Sequence, residues 1–414
     1  MNETKTSFLP IYFTVFLDLL GLGIVIPIFA PLFLSGGPGL LPVEYTMAQR
    51  TLLLGLVIAS YPLAQFIGAP ILGGLSDRYG RKKMLLVSLV GTLFGYILFA
   101  IGIVLGRLDV MIIARLIDGF TGGNISIALS AISDLSDEKS KAKNFGMVGM
   151  VFGLGFILGP FIGGKLSDST LAPWFNFSTP FFFAAALCLL NIIIMSLNFK
   201  ETLKHKLDAK INVFMGIKNI QKALTMPNLR IMFLVVFLIT FGFSFFTQFF
   251  QVYLVQKFNF NQSQIGDIFA YIGIWIAITQ GLINRQFVKK YSPHHILQSS
   301  ILVLAIALLV ILIPNDPIMF LIVMPLISIS NGLTYPNSTA LISNLSDKKS
   351  QGEVLGINQS IQALGQAIPP LIAGVIVSID KTLPIITASI VMFCAWAFFY
   401  FYFIKRDMHK FAEK

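Results

Sequence analysis

Three ionisable residues stand inside long apolar stretches of this chain: Asp18, Arg115 and Asp118. A charge in such a run costs about 2.5–3.5 kcal/mol on insertion scales, so each is a candidate for function by default. Asp18 lies ten residues past Phe8, where the first apolar run opens. At about 1.5 Å per helical residue it sits about 15 Å along a helix, near the middle of a hydrocarbon layer about 30 Å thick. A carboxylate there can serve as a protonation site, or it can make a static hydrogen bond that holds its helix to a neighbour. Arg115 does not give up its proton and must be paired. Asp118, three residues on, falls on the same helix face. The pair is either a local ion pair that makes Arg115 tolerable or a device that feels a proton on Asp18 or Asp118, and either carboxylate can carry that proton.

A second cluster stands between two apolar runs, in GGLSDRYGRKKM from Gly73 to Met84, where Asp77, Arg78, Arg81, Lys82 and Lys83 are charged. The four cations are explained by orientation in a membrane alone. Asp77 and the glycines are not. Asp77 can accept from Arg81 and from backbone N–H groups at a helix N-terminus, and Asp134, at the end of a later apolar run, is within reach.

The elements that must position these residues follow from composition. The chain is 414 residues, 56% hydrophobic and 12% charged, with a mean hydropathy of +0.81. Soluble domains carry about 25% charged residues, so this is an integral membrane protein. A crossing helix needs about 20 apolar residues. Twelve runs qualify, at about 8–34, 51–74, 84–105, 110–133, 144–166, 180–199, 229–256, 264–286, 296–314, 318–342, 354–379 and 383–404. The first is too long for a signal-peptide core and has no clear cleavage site, so it is expected to be retained. The polar, basic segment 200–228 divides the chain into a six-span half, 1–199, and a second, 229–414. The basic residues gather on one side: Lys5, the cluster at Arg78, Lys139 to Lys143, Lys200 to Arg230, Arg285 to Lys290, Lys348, Lys349 and Lys405 to Lys414. The other side has Arg50, Arg107, Lys165, Lys257 and Lys381. Both termini are therefore expected in the cytoplasm. The net charge of +11 is a topology signal and not a nucleic-acid footprint.

The halves repeat. SDLSDEKSKAKNFG from Ser133 parallels SNLSDKKSQGEVLG from Ser343, and the same offset of 210 aligns Gly155, Pro160 and Gly164 with Gly365, Pro370 and Gly374. Parallel six-span repeats are an architecture of secondary transporters, with the substrate path between the repeats.

At these residues the chain resembles the major facilitator superfamily. GGLSDRYGRKKM resembles that family's loop between spans two and three, with Gly74, Asp77, Arg78, Gly80, Arg81 and Lys82 on pattern. GLGFILGPFIGG, from Gly153 to Gly164, is similar to the fifth-span motif of its exporters. LDLLGLGIVIP, from Leu17 to Pro27, resembles the first-span motif of the twelve-span drug–proton antiporter branch. IARLIDGFTGG resembles the fourth-span R-x-x-x-G motif. The likeness covers the whole chain and is nearest to tetracycline–proton antiporters in the first half. It implies an all-α fold of twelve transmembrane helices in two parallel six-helix repeats. It also implies a proton-coupled exporter of drugs or small amphipathic organics in a bacterial cytoplasmic membrane, and an Asp77–Arg81–Asp134 network that latches one conformational state. Two departures stand out. The family usually has an uncharged polar residue where Asp118 stands, and the acids that tetracycline antiporters carry in span three are missing from LVGTLFGYILFA, so tetracycline is not supported as the substrate.

Gly155, Gly159 and Gly163 recur every four residues, with Pro160 and Gly164 beside them. Small residues let helices approach closely in lipid, which explains packing, and the resemblance adds a seal that favours export. Uncharged polar and aromatic residues, Tyr61, Gln65, Gln248, Gln251, Asn331, Asn358 and Gln362, suit a cavity for an amphipathic organic molecule. The competing readings are a dedicated metabolite or siderophore exporter, or a proton-coupled importer, of the same fold. An enzyme is not expected: the apolar runs hold no His, no metal-ligand cluster and no Ser/His/Asp set, and no Walker A sequence is present. No cofactor or metal is expected, and a monomer taking a small organic substrate and protons is.

Overall fold

The computed structural model describes residues 8–34, 39–136, 138–203, 214–227, 229–346 and 351–404. The expected cations Lys5, Lys204, Lys206, Lys210, Lys348, Lys349 and those from Lys405 to Lys414 lie outside them. Among the described residues there are helices and no strands. That is the solution available to a chain in lipid without barrel closure, because each backbone N–H and C=O must find its partner within the segment.

Among the described residues, eleven helical stretches are long and apolar enough to cross a membrane. The first half comprises α1 (Leu9–Leu34), α2 (Met47–Tyr79), α3 (Arg81–Val104), α4 (Leu108–Thr121), α5 (Ile125–Asp134), α6 (Glu138–Leu166) and α7 (Thr179–Asn198). A short α8 (Met215–Thr225) forms within the polar segment expected between the halves. Then follow α9 (Arg230–Phe258), α10 (Gln262–Ile278), α11 (Asn284–Lys290), α12 (Pro293–Val310), α13 (Pro317–Leu345), α14 (Gln351–Ala367), α15 (Pro369–Ile376) and α16 (Leu383–Phe398).

Three expected spans are not simple rods. The fourth is α4 and α5 joined by one 3₁₀ turn at Gly122–Asn124. The eighth passes through a π-helical turn at Thr279–Ile283 between α10 and α11. The eleventh, expected as one helix over 354–379, is broken at Ile368 into α14 and α15. Pro369 and Pro370 each lack a donor and clash with the preceding turn. The single Pro160 at the matching place in α6 leaves that helix continuous.

The helices bury their polar residues and expose apolar ones. On α3, Val87, Phe94 and Ile101 are exposed while Ser88, Thr92 and Tyr96 are buried. Seven-residue spacing puts the exposed three on one stripe, a face made for lipid rather than water.

Contacts divide the chain into two compact units. Unit 1 is Met1–Thr46, Ser60–Met215 and Phe260–Ala270; unit 2 is Met47–Ala59, Gly216–Asn259 and Tyr271–Lys414. Within unit 1, α6 presents two small-residue faces. Gly155, Gly159 and Gly163 lie on α1: a Cβ at Gly155 would come 2.7 Å from Leu19 Cβ, one at Gly159 2.7 Å from the Leu20 carbonyl, and one at Gly163 would collide with the Ile24 carbonyl. Gly164 faces the start of α10, where a Cβ would come 2.6 Å from the Gln262 carbonyl. The sequence repeat appears again in the contacts of unit 2. Gly365 faces Thr240 of α9, and Gly374 faces Thr51 and Leu52 of α2.

These glycines are fixed by backbone approach, not by turn geometry. Gly163→Val is expected to prevent assembly or sharply lower the thermal midpoint of the purified protein. Gly149→Ala, on the same helix but with nothing within 4 Å of the added carbon, is expected to leave the midpoint unchanged or slightly raised. Thermal unfolding in detergent followed by size exclusion checks both.

Candidate functional site

Two polar sites are built within unit 1. The first lies where α4 ends. The sequence Thr121-Gly122-Gly123-Asn124 cannot hold a tight α-helix, and the 3₁₀ turn releases carbonyls that side chains collect. Ser88 Oγ donates to the Thr121 carbonyl at 2.5 Å, and Gln65 Nε2 donates to the Gly122 carbonyl at 3.1 Å. The turn also aims Asn124 at α1, where its Nδ2 lies 3.5 Å from Asp18 Oδ1. Asp18 is 4% exposed, and its Oδ2 has no hydrogen-bond partner.

One helical turn before the break, Arg115 Nη1 lies 3.5 Å from Asp118 Oδ2, with both residues buried. The spacing of three residues does bring them together on one face. The guanidinium also lies 4.5 Å above the Tyr61 ring and 5.9 Å from the Phe29 ring, and cation–π attraction is strongest where water is excluded. Gly119 makes this possible: a Cβ there would collide with the Tyr61 backbone. Asp18 and Asp118 lie within electrostatic reach of one another. Two carboxylates and one guanidinium share the site. It carries one net negative charge when both acids are ionised and none when one is protonated.

The second site is the charged cluster. Its expected loop is one residue, since α2 runs to Tyr79 and α3 begins at Arg81. Gly80, at φ 106° and ψ 149°, occupies a region essentially closed to other residues. Arg81 is 8% exposed and gathers the cluster. Its Nη1 bonds Asp77 Oδ1 at 2.5 Å and Ser76 Oγ at 2.6 Å, and its Nε reaches Asp134 Oδ2 at 3.3 Å. Arg78 lies over the Tyr79 ring at 5.5 Å. Gly74 has open space around it, so packing does not require a glycine there.

The structure corrects one expectation. The free amides at the α3 N-terminus are not taken by Asp77, which ends α2. They are taken by Glu201, from beyond α7. Glu201 Oε1 accepts from Arg81 N at 2.8 Å and Oε2 from Lys82 N at 3.2 Å. A carboxylate there also meets the positive end of the helix dipole. Its neighbour Thr202 donates to Asp134 Oδ2 at 3.3 Å. Sequence reasoning missed Glu201 because the segment after span six reads as basic. The signal was an acid set between Lys200 and Lys204 at a span end. Asn124 was missed as well, although an amide inside an apolar run was visible.

The residues expected to line a cavity fall in both units. Tyr61 and Gln65 belong to unit 1, and both are engaged, under Arg115 and on Gly122. The others belong to unit 2, where α9 packs against α13 and α14. Gln251 is buried and its Nε2 donates to the Gln248 carbonyl at 3.2 Å. Asn331 and Asn358 are buried, each with Oδ1 unpartnered, and Gln362 is half-buried. Among the described residues no group of three or more His, Cys, Asp or Glu could hold a metal ion.

The comparisons agree with this architecture. A sequence model of the Major Facilitator Superfamily matches residues 11–285 and 232–413. Multidrug resistance protein 2 of Bacillus subtilis (strain 168) is 26% identical over 397 residues, covering 95% of this chain and 94% of its own. Quinolone resistance protein NorA of Staphylococcus aureus (strain COL) is 30% identical over 383 residues, covering 91% and 92%. Among solved structures, the human organic anion transporter MFSD10 (TETRAN) superposes with a TM-score of 0.73 at 21% identity, covering 96% of this chain and all of that one. A D-xylose–proton symporter superposes at 0.72 and 15% identity, covering 93% and 96%. At those identities the solved structures speak to the fold alone. With eleven membrane-length helices among the described residues, the repeat and a family match across the chain, this protein belongs to the Major Facilitator Superfamily as a multi-pass membrane transporter.

Proposed function

We propose that the chain is a proton-coupled exporter of drugs or related amphipathic organic molecules, working by alternating access between the halves 1–199 and 229–414 with 200–228 as their connection. One observation carries this: a buried carboxylate, Asp18, stands within electrostatic reach of Asp118, which is itself paired with the buried Arg115. Taking up a proton changes the net charge of that site from −1 to zero. A site whose charge changes by one unit in low dielectric can bias a conformational equilibrium, because a ligand shifts populations by its differential affinity for the two states. The names of the multidrug and quinolone resistance relatives support export and organic substrates. Uncharged amide and aromatic residues in unit 2, with Asn331 and Asn358 presenting unpartnered acceptors, suit a ligand with N–H or O–H donors.

In this reading both termini face the cytoplasm of a bacterial inner membrane, by the distribution of Lys and Arg, and the protein acts as a monomer. The Arg81 cluster is then a cytoplasmic latch. Asp77 and Asp134 hold the guanidinium, and Glu201 ties the α3 N-terminus to the segment that leaves α7. The small-residue faces of α6 serve as the seal.

Two tests follow. In an efflux-deficient bacterium at matched expression, the protein is expected to lower accumulation of some compounds in a growth-inhibition panel. An uncoupler should abolish the effect, and Asp18→Asn should remove most of it. Asp118→Asn, measured separately across pH, distinguishes which acid carries the proton. No shift for any compound would move the assignment to a dedicated metabolite carrier. For the latch, Asp77→Asn and Glu201→Gln are each expected to cut the transport rate several-fold with normal membrane insertion; full rates in both well-expressed variants would remove it.

A further inference from the structure

Asn191 is the one amide of α7 within its apolar run, and it is fully buried. Its Nδ2 donates to Thr14 Oγ1 of α1 at 2.8 Å, while its Oδ1 has no partner. Thr14 is also fully buried, and its hydroxyl donates to the Pro10 carbonyl at 2.9 Å. Leaving a buried acceptor unsatisfied is costly, and in a lipid-embedded bundle there is no bulk water to relieve it. Leucine would have filled this place without that cost.

The register of the two helices shows what the acceptor faces. Thr14 opposes Asn191, and Asp18 is within electrostatic reach of Cys188. Asp18 is four residues on from Thr14 and so lies on the same face of α1. Asp18 stands one helical turn, about 6 Å along α1, from the point where Asn191 meets Thr14, and Asp18 Oδ2 and Asn191 Oδ1 both lack partners. One turn is too far for a direct hydrogen bond and suits one bridging water. The Pro10 carbonyl, the Thr14 hydroxyl and the Asp18 carboxylate follow one another every four residues along α1, toward the end of the helix at Leu9, which is 64% exposed. The titratable and charged groups around Asp18 are Asp118 and Arg115 on α4, Tyr61 on α2, Tyr96 on α3 and Cys188 on α7. Tyr96 directs its hydroxyl to the Leu17 carbonyl at 3.4 Å, beside Asp18 and against Gly21, on the side of Asp18 away from Thr14 along α1, and Cys188 directs its thiol to the Leu89 carbonyl at 3.3 Å.

We propose that Asn191 and Thr14 position a water against Asp18 and so form the first step of the proton's path between Asp18 and the N-terminal end of α1. This rests on Asp18 as the protonation site. In the release step the O–H bond of the Asp18 acid breaks and a new O–H bond forms on the water. The hydronium is held by the Asn191 amide oxygen and a Thr14 lone pair, and Asn124 remains on the carboxylate left behind. Uptake is the reverse. Asn191 and Thr14 are positioning residues. They set how fast the proton moves, not where the equilibrium lies.

The test uses the full chain in lipid nanodiscs and needs no substrate. The infrared carbonyl band of protonated Asp18, identified by its loss in Asp18→Asn, is followed after a rapid pH jump. Asn191→Leu and Thr14→Val are each expected to slow its response on the order of tenfold with the titration midpoint unchanged. Asn191→Gln, which keeps an amide, should respond close to the unmodified rate. Thr14→Val differs by one atom and serves if Asn191→Leu fails to fold. An unmodified rate in Thr14→Val and Asn191→Leu would overturn the relay while leaving Asp18 as the protonation site. So would a shifted midpoint at unmodified rate, which marks the amide as a fixed dipole. If no band depends on Asp18, the protonation site and the relay fall together.

Discussion

Arg115 cannot shed its proton, and a buried guanidinium must be compensated where it stands. Much of unit 1 follows from that one charge. Asp118 supplies the opposite charge from the same helix face, and the rings of Tyr61 and Phe29 supply their electron-rich faces from α2 and α1. For Tyr61 to come that close, α4 must meet α2 backbone to backbone, which Gly119 permits. The compensation is spread over three helices. Ion pairs held in low dielectric respond far more strongly to a nearby charge than surface pairs do.

The second constraint is the bilayer itself. Lipid offers no hydrophobic drive between helices, and close approach of small residues takes its place. Gly155, Gly159 and Gly163 bring α6 against α1 at backbone distance. Asp18 of α1 is thereby carried on a helix held along much of its length. Of the small residues of α6, Gly155 and Gly164 recur 210 positions later as Gly365 and Gly374, again at close helix contacts, while Gly159 and Gly163 give way to Pro369 and Ala373. The duplication did not preserve the charge: the residues singled out in unit 2 are amides and aromatics. The halves share one scaffold, with the ionic chemistry concentrated in the first.

At the charged cluster, helix ends are the organising feature. A one-residue connection at Gly80 leaves the first amides of α3 unpaired, and Glu201 arrives from 120 positions away to accept them. Arg81, Asp77 and Asp134 are then fixed around an end that is already capped. This couples the departure of the chain from α7 to the junction of α2 and α3.

Much of this was legible in the sequence. Length and spacing of apolar runs gave the spans, because crossing a bilayer fixes helix length whatever the neighbours are. The repeat announced itself at constant offset. Asp18, Arg115 and Asp118 were visible because charges in apolar runs are costly enough to need a reason, and local spacing placed Arg115 beside Asp118. What the sequence left open were relations between residues far apart in the chain. Whether Pro160 or Pro369–Pro370 would break a helix depended on a second missing donor. The partners of Asn124, Asn191 and Glu201 lie 106, 177 and 119–120 residues away. A lone amide or acid carries no local signature of where its hydrogen bond goes; only tertiary packing, which sets the register of one helix against another, decides that.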